Sequence, residues 1–273
     1  MYKHYRHMKK LFFTLTAALS FTATLHAQDI ERVDTRVTVN RIRFGAYIAP
    51  NLSWMRPTAT KSDNGEFSVE KGGGKTGFTY GLMAEYYFAR NYAVVTGLQI
   101  NSTGGKINVT RVNPGAYGPN QVQRADFDYR LQYLEIPVAL KLRTDDINGF
   151  RFFGQLGVTL GINVGKKATY SVDYTDNDTV LRTAADEKIK LTAKGTLKSP
   201  VAPIMLAMNI GAGAEYPINR RLTAYAGIFF NNGFTPDATS PQNFDNGKLG
   251  YTGDFYDAKT RLNNFALRIG LFF

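Results

Sequence analysis

Eight segments of this chain carry apolar side chains at every second position, and the spacers between them alternate short and long. The segments cover 41–54, 76–88, 92–101, 127–143, 151–164, 204–215, 222–231 and 263–273. Tight turns follow the second, fourth and sixth, whereas polar spacers at about 55–75, 104–125, 165–203 and 232–260 follow the first, third, fifth and seventh. Structureless loops of that length are out of place in a compact soluble domain. An even number of strands, with turns at one end and long loops at the other, is instead the layout of a closed antiparallel sheet that crosses a membrane.

The closing segment shows what each strand offers. Phe265, Leu267, Ile269, Leu271 and Phe273 form one apolar row, and Asn264, Ala266, Arg268 and Gly270 form the other. Between strand ends, none of the apolar rows carries a charge. A Lys or Arg facing lipid at midplane costs roughly 2–4 kcal/mol, so a row that meets hydrocarbon has to be clean in this way. Aromatic residues gather at the row ends: Tyr86, Phe88, Tyr92, Phe150, Tyr216 and Phe273 toward the turns, Trp54, Phe78 and Tyr80 toward the loops. The pattern predicts an all-β fold over 41–273, an eight-stranded antiparallel transmembrane up-and-down β-barrel in the outer membrane. Its turns at Asn91, Asn148 and Asn219 face the periplasm. A hydrophobic content of 44% and a mean hydropathy of -0.25 exclude a helical membrane bundle without touching this reading.

Lys9 and Lys10 precede an apolar run over 11–25, and Leu25-His26-Ala27 before Gln28 has the form of a cleavage site. The expectation is a cleaved export signal at 1–27 and a polar periplasmic leader at 28–40, with Met8 as a second candidate start. Removing 1–27 leaves 29 basic against 22 acidic side chains, a modest surplus that points to a solvated surface and to no nucleic-acid partner. Cysteine is absent, and His4, His7 and His26 all lie in the signal. Disulfides, His-dependent triads and zinc sites are thereby closed to the mature chain, and no enzyme activity, metal or cofactor is expected. Gly72-Gly73-Gly74-Lys75-Thr76 mimics the end of a phosphate-binding loop but lacks its first glycine, since position 69 is Val69. A flexible loop is expected there. Asp173, Asp176 and Asp178 lack the Gly and Glu of a calcium loop, so a solvated acidic tip is expected.

An eight-stranded barrel is just wide enough inside for side chains to fill it. The inward rows carry Arg41, Arg43, Glu85, Glu135, Lys141, Arg143, Arg151, Glu215 and Arg268. A lone charge in so narrow a lumen is costly, so these are predicted to pair across strands into a plug, with Arg43 near Glu85 and Arg151 near Glu215. An ion-conducting lumen is the alternative, and it needs a continuous water column. In the fourth segment the apolar phase changes, from Phe127, Tyr129, Leu131 and Tyr133 to Leu134, Ile136, Val138, Leu140 and Leu142. That change predicts a bulge near 133–137.

The stretch Tyr133-Leu134-Glu135-Ile136-Pro137, running on to Val138-Ala139-Leu140-Lys141, resembles an element of the PorT-type outer-membrane β-barrel proteins of the Bacteroidota. The strand layout, the glycine-punctuated strands and the terminal Phe273 extend the resemblance over about 40–273. It implies a barrel of the OmpX/OmpA size. The row Phe265, Leu267, Ile269, Leu271 and Phe273 also resembles the signal read by barrel-assembly machinery. What the resemblance implies for function is an envelope or interaction protein, with an accessory place in protein secretion as its more specific form. Partners would be outer-membrane lipid, the assembly machinery during insertion, and envelope or secretion proteins met through the loops. Those loops hold Tyr117, Tyr170, Tyr174, Phe244, Tyr251, Phe255 and Tyr256. A narrow porin-like diffusion channel is the alternative.

Overall fold

The computed structural model describes residues 41–61, 65–113, 122–176, 179–189, 201–238 and 259–273. The signal, the leader, Tyr117, Asp178, Phe244, Tyr251, Phe255 and Tyr256 lie outside them. Ten strands form one antiparallel sheet: β1 (Ile42–Pro57), β2 (Phe67–Lys71), β3 (Lys75–Ala89), β4 (Tyr92–Arg111), β5 (Val122–Arg143), β6 (Arg151–Asp176), β7 (Thr179–Ile189), β8 (Ile204–Pro217), β9 (Thr223–Gly233) and β10 (Thr260–Phe272). Eight of them close a ring in the order β1-β3-β4-β5-β6-β8-β9-β10, with β10 pairing back on β1 from Gly45↔Phe272 to Pro57↔Thr260. β2 and β7 stand outside that ring and extend it. β2 continues the line of β3 along β4, with Lys71↔Ile107 as its last pair, and β7 runs beside the far end of β6.

The turns are tight for local reasons. Asn148 and Gly149 both take positive φ, 54° and 85°, and Ile147 and Phe150 exchange backbone hydrogen bonds of 2.8 and 3.0 Å around them. This is the two-residue Asn-Gly hairpin whose twist suits antiparallel strands. At the β8–β9 turn the Asn219 Oδ1 accepts from the backbone N–H of Arg221 and Leu222, each at 2.8 Å.

Outward residues of the ring are apolar and half exposed, as with Leu82 at 63%, Leu156 at 55% and Ile228 at 64%. In water such a wall would aggregate; in a bilayer it is the lipid contact. Its ends are marked by aromatic pairs, Phe88–Tyr92 and Phe150–Tyr216 on the turn side and Trp54–Phe265 and Phe230–Phe265 on the loop side. Outer-membrane barrels keep short turns in the periplasm and long connections outside, which sets the orientation.

Two expectations need correction. The spacers at 104–125 and 165–203 are largely strand: β4, β5 and β6 have 20, 22 and 26 residues, whereas about 9–11 suffice to cross a bilayer. The surplus lies on the loop side, where β2 and β7 join it. Gly72–Gly74 is correspondingly a joint in the sheet and not a free loop, since Gly72 N–H donates to Lys106 O at 2.9 Å. The second correction concerns β5, whose inward row runs unbroken through Phe127, Tyr129, Leu131, Tyr133, Glu135, Pro137, Ala139 and Lys141. No bulge interrupts it. The register shift sits on its partner: Gln132 faces Gly165 while Tyr133 faces Asn163, so the extra residue is Val164 of β6. Pro137 leaves a gap in the β4–β5 pairing between Thr96↔Val138 and Gln99↔Glu135 without changing the register, because it has no N–H to donate.

The phase change along β5 therefore marks a change of surroundings. Beyond Tyr133 the outward residues become Arg124, Asp126, Asp128, Arg130 and Gln132, and the inward ones become apolar. Inside the bilayer the barrel is greasy outside and polar within; above it the two faces exchange roles.

Candidate functional site in the lumen

The lumen is filled in three layers. At the periplasmic end, Arg43 of β1, Glu85 of β3, Lys141 of β5 and Glu215 of β8 form a closed ring of alternating charge. Arg43 Nη2 lies 2.6 Å from Glu85 Oε2 and 2.8 Å from Glu215 Oε1. Lys141 Nζ lies 2.6 Å from Glu85 Oε1 and also bonds Glu215 Oε1. Two carboxylates and two cations thus neutralise each other where both Glu side chains are 1% exposed or less. Tyr87 donates to Glu85 at 2.9 Å and accepts from Arg43 at 3.0 Å, and Arg143 reaches Glu215 at 3.4 Å. Aromatic faces cover the cations: Arg43 lies 3.8 Å from the Phe272 ring centre and Lys141 lies 4.3 Å from that of Phe153.

The middle layer is made of amides. Glu135 accepts hydrogen bonds from Asn101 Nδ2 at 2.8 Å and from Gln99 Nε2, which leaves its buried carboxylate bonded to neutral donors. Asn51 joins Thr79 and Asn101, each at 3.1 Å. Across the lumen Gln155, Asn209, Asn231 and Asn264 form a ladder with steps of 3.2, 2.5 and 2.7 Å. Arg268 is buried here with its guanidinium 4.1 Å from the Phe229 ring centre and 4.9 Å from that of Tyr47. Above this layer lies an apolar core that includes Met55, Phe67, Ile107, Phe127, Leu131 and Leu262.

Of the nine charged residues expected inside, five meet in the lower cluster: Arg43, Glu85, Lys141, Arg143 and Glu215. Glu135 and Arg268 lie one layer higher and make no ion pair among the described residues. Arg151 is directly opposite Glu215 in the β6–β8 register, yet its side chain turns to the rim, with Nε 3.8 Å from Asp146. Arg41 is exposed at the barrel end. In the Tyr133–Pro137 element, Tyr133, Glu135 and Pro137 face inward and Leu134 and Ile136 outward. Phe265, Leu267, Ile269, Leu271 and Phe273 all face outward. Among the described residues no group of His, Cys, Asp or Glu is arranged to hold a metal ion.

Phe153, Phe229 and Phe272 also line the lumen, which the charge pattern of the inward rows does not predict. Phe229 pairs with Gly211, Phe153 with Gly213, Phe272 with Gly45, and Tyr47 with Gly270. The rings of Phe229, Phe153 and Phe272 each reach into the space that a side chain on the glycine partner would need, and at Gly270 the ring that does so is that of Tyr225, its partner on β9. The signal was present as an aromatic on an inward row directly across from a glycine, a known device of barrel interiors.

No curated protein matches the chain. Among solved structures it is similar to neisserial surface protein A, at 11% identity over 83% of this chain and 95% of that one, with a TM-score of 0.35. It is also similar to the attachment invasion locus protein Ail of Yersinia pestis, at 13% identity, 85% and 98% coverage and a TM-score of 0.32. OprG of Pseudomonas aeruginosa stands at 14% identity, 85% and 93% coverage and a TM-score of 0.31. A closed eight-stranded wall with lipid-facing rows and a packed polar interior has its counterpart in sequence, where residues 26–238 match the outer membrane protein beta-barrel domain family: the chain belongs to that family, and its place is the outer membrane.

Proposed function

We propose that this barrel is a non-conducting membrane anchor that holds an extracellular sheet for contact with other envelope components. The observation that carries the reading is the double closure of the lumen. A neutral charge ring fills the periplasmic end, and an apolar core fills the opposite end, where water is least stable. Conduction needs a continuous water column, and the side chains that meet in both layers speak against one. The extended ends of β4, β5 and β6, with β2 and β7, then form a firm platform above the bilayer. Long extracellular segments on a rigid scaffold are where binding residues are usually placed.

Planar bilayers containing the refolded chain should stay silent across a range of voltages. Stepwise conductance would overturn the reading in favour of a narrow diffusion channel. The more specific role, accessory to protein secretion, is favoured by the resemblance of Tyr133–Pro137 to the PorT-type element. Crosslinking in cells followed by mass spectrometry should then recover secretion components on the platform. Recovery of cell-surface or cell-wall proteins alone would assign it to general envelope contacts.

A further inference from the structure

Just above the outer aromatic belt, Arg56 of β1 and Arg261 of β10 are direct cross-strand partners. Both are exposed on the outer wall. Their roots lie about 5 Å apart on one face, where like charges repel and destabilise the pairing. Below them sits an aromatic cluster, with Trp54 5.5 Å from Phe265 and Phe265 4.8 Å from Phe230 between ring centres. Lys71 adds a third cation, its Nζ 5.0 Å from the centre of the Trp54 ring. Among the described residues no carboxylate forms an ion pair with Arg56, Arg261 or Lys71. Two other cations of the extracellular part are matched by acids, Lys75 by Asp128 and Arg124 by Asp126.

From this juxtaposition we infer that Arg56, Arg261 and Lys71 bind the phosphate group of an outer-leaflet lipid, whose acyl chains lie on Trp54, Phe230 and Phe265. The level is right for this occupant: two residues beyond Trp54 along β1 is the headgroup zone, directly over the lipid-facing row. The chemistry is right as well. Two neighbouring guanidinium forks present paired donors to phosphate oxygens, and one dianion relieves the Arg–Arg repulsion that the free wall carries.

Trp54 is the single tryptophan of the chain, so its emission reports on the site directly. The refolded full chain in zwitterionic detergent micelles is titrated with bis-phosphorylated lipid A, with dephosphorylated lipid A and with inorganic phosphate. A saturable change is expected with the phosphorylated lipid, at least tenfold weaker binding with the dephosphorylated one, and no response to millimolar phosphate alone. Arg56→Gln with Arg261→Gln should weaken phosphorylated lipid A binding by about tenfold or more, as loss of charged hydrogen bonds implies. Arg220→Gln at the periplasmic turn should leave it unchanged, and the heat-dependent gel mobility of each variant shows whether it is folded. Equal binding of the two lipids by the native chain would overturn the inference whatever the variants do. So would undiminished binding by the folded double variant, or an equal loss in Arg220→Gln. A matching response to inorganic phosphate would replace the lipid with a free anion and overturn it too.

Discussion

The ammonium of Lys141 is held between two carboxylates and against the Phe153 ring, with its side chain 2% exposed. Removing one member of such a buried set leaves the others without a counter-charge, and the usual cost is about 3–5 kcal/mol. Lys141→Met should therefore lower unfolding stability by about that much in reversible urea titrations from lipid vesicles. Adding Glu215→Gln should cost less than the sum of the two single changes, because the remaining Arg43–Glu85 pair is balanced. Asp237, beyond the end of β9, behaves differently. Burial pushes its carboxyl up to about 7, although Oδ2 accepts from Leu262 N–H at 2.6 Å. The folded state thus holds a proton that the unfolded chain releases near pH 4. Its contribution is complete below about pH 4, is lost as the pH rises to about 7, and is constant beyond. In Asp237→Asn that part of the pH slope should vanish from urea midpoints measured between pH 5 and 8; an unchanged slope would mean that Asp237 is ionised in the fold. At this scale the sequence is legible only in part. Arg43, Glu85 and Glu215 were found from the cost of an unpaired charge, whereas Tyr87, Phe153, Phe229 and Phe272 were passed over because an inward row was assumed to be polar.

Along a single strand the same period of two serves two solvents. On β5, Leu140 faces lipid, Gln132 faces water and Phe127 faces the upper core. Leu140→Arg should destabilise the barrel by about 2–4 kcal/mol. Gln132→Arg, on the same outer face, should stay within about 0.5 kcal/mol. Phe127→Ala should cost about 3–5 kcal/mol although it lies outside the bilayer, because it empties part of a packed core. Similar losses for Leu140→Arg and Gln132→Arg in vesicle unfolding would place the membrane boundary elsewhere. This exchange of faces also explains which elements could be read from sequence. The eight crossing segments were legible because hydrocarbon demands an unbroken apolar row. β2, β7 and the upper parts of β4 to β6 were not, since following the greasy side loses the strand where that side turns inward. Tyr133 and Leu134, adjacent and both apolar, stand at the crossing point. Their proximity suggested a bulge, whereas the extra residue is Val164 across the ladder.

For the barrel as a whole, two closures of different chemistry make a sharper test than either alone. A charge ring can be breached by water, because charged groups are readily hydrated once their partners are gone. An apolar constriction resists for the opposite reason: a narrow column of water loses its hydrogen bonds there and empties. The quadruple change Arg43→Ser, Glu85→Ser, Lys141→Ser and Glu215→Ser removes the ring without altering the net charge, since two cations and two carboxylates go together. If the upper core seals independently, this variant should insert, show reduced unfolding stability, and still give no stepwise current in planar bilayers. Current should appear only when Phe127→Ser and Leu131→Ser are added, since both residues belong to the upper core and their replacement admits water. Conductance in the quadruple variant alone would show that the core does not close the mouth, and the barrel would then be held shut by its charges.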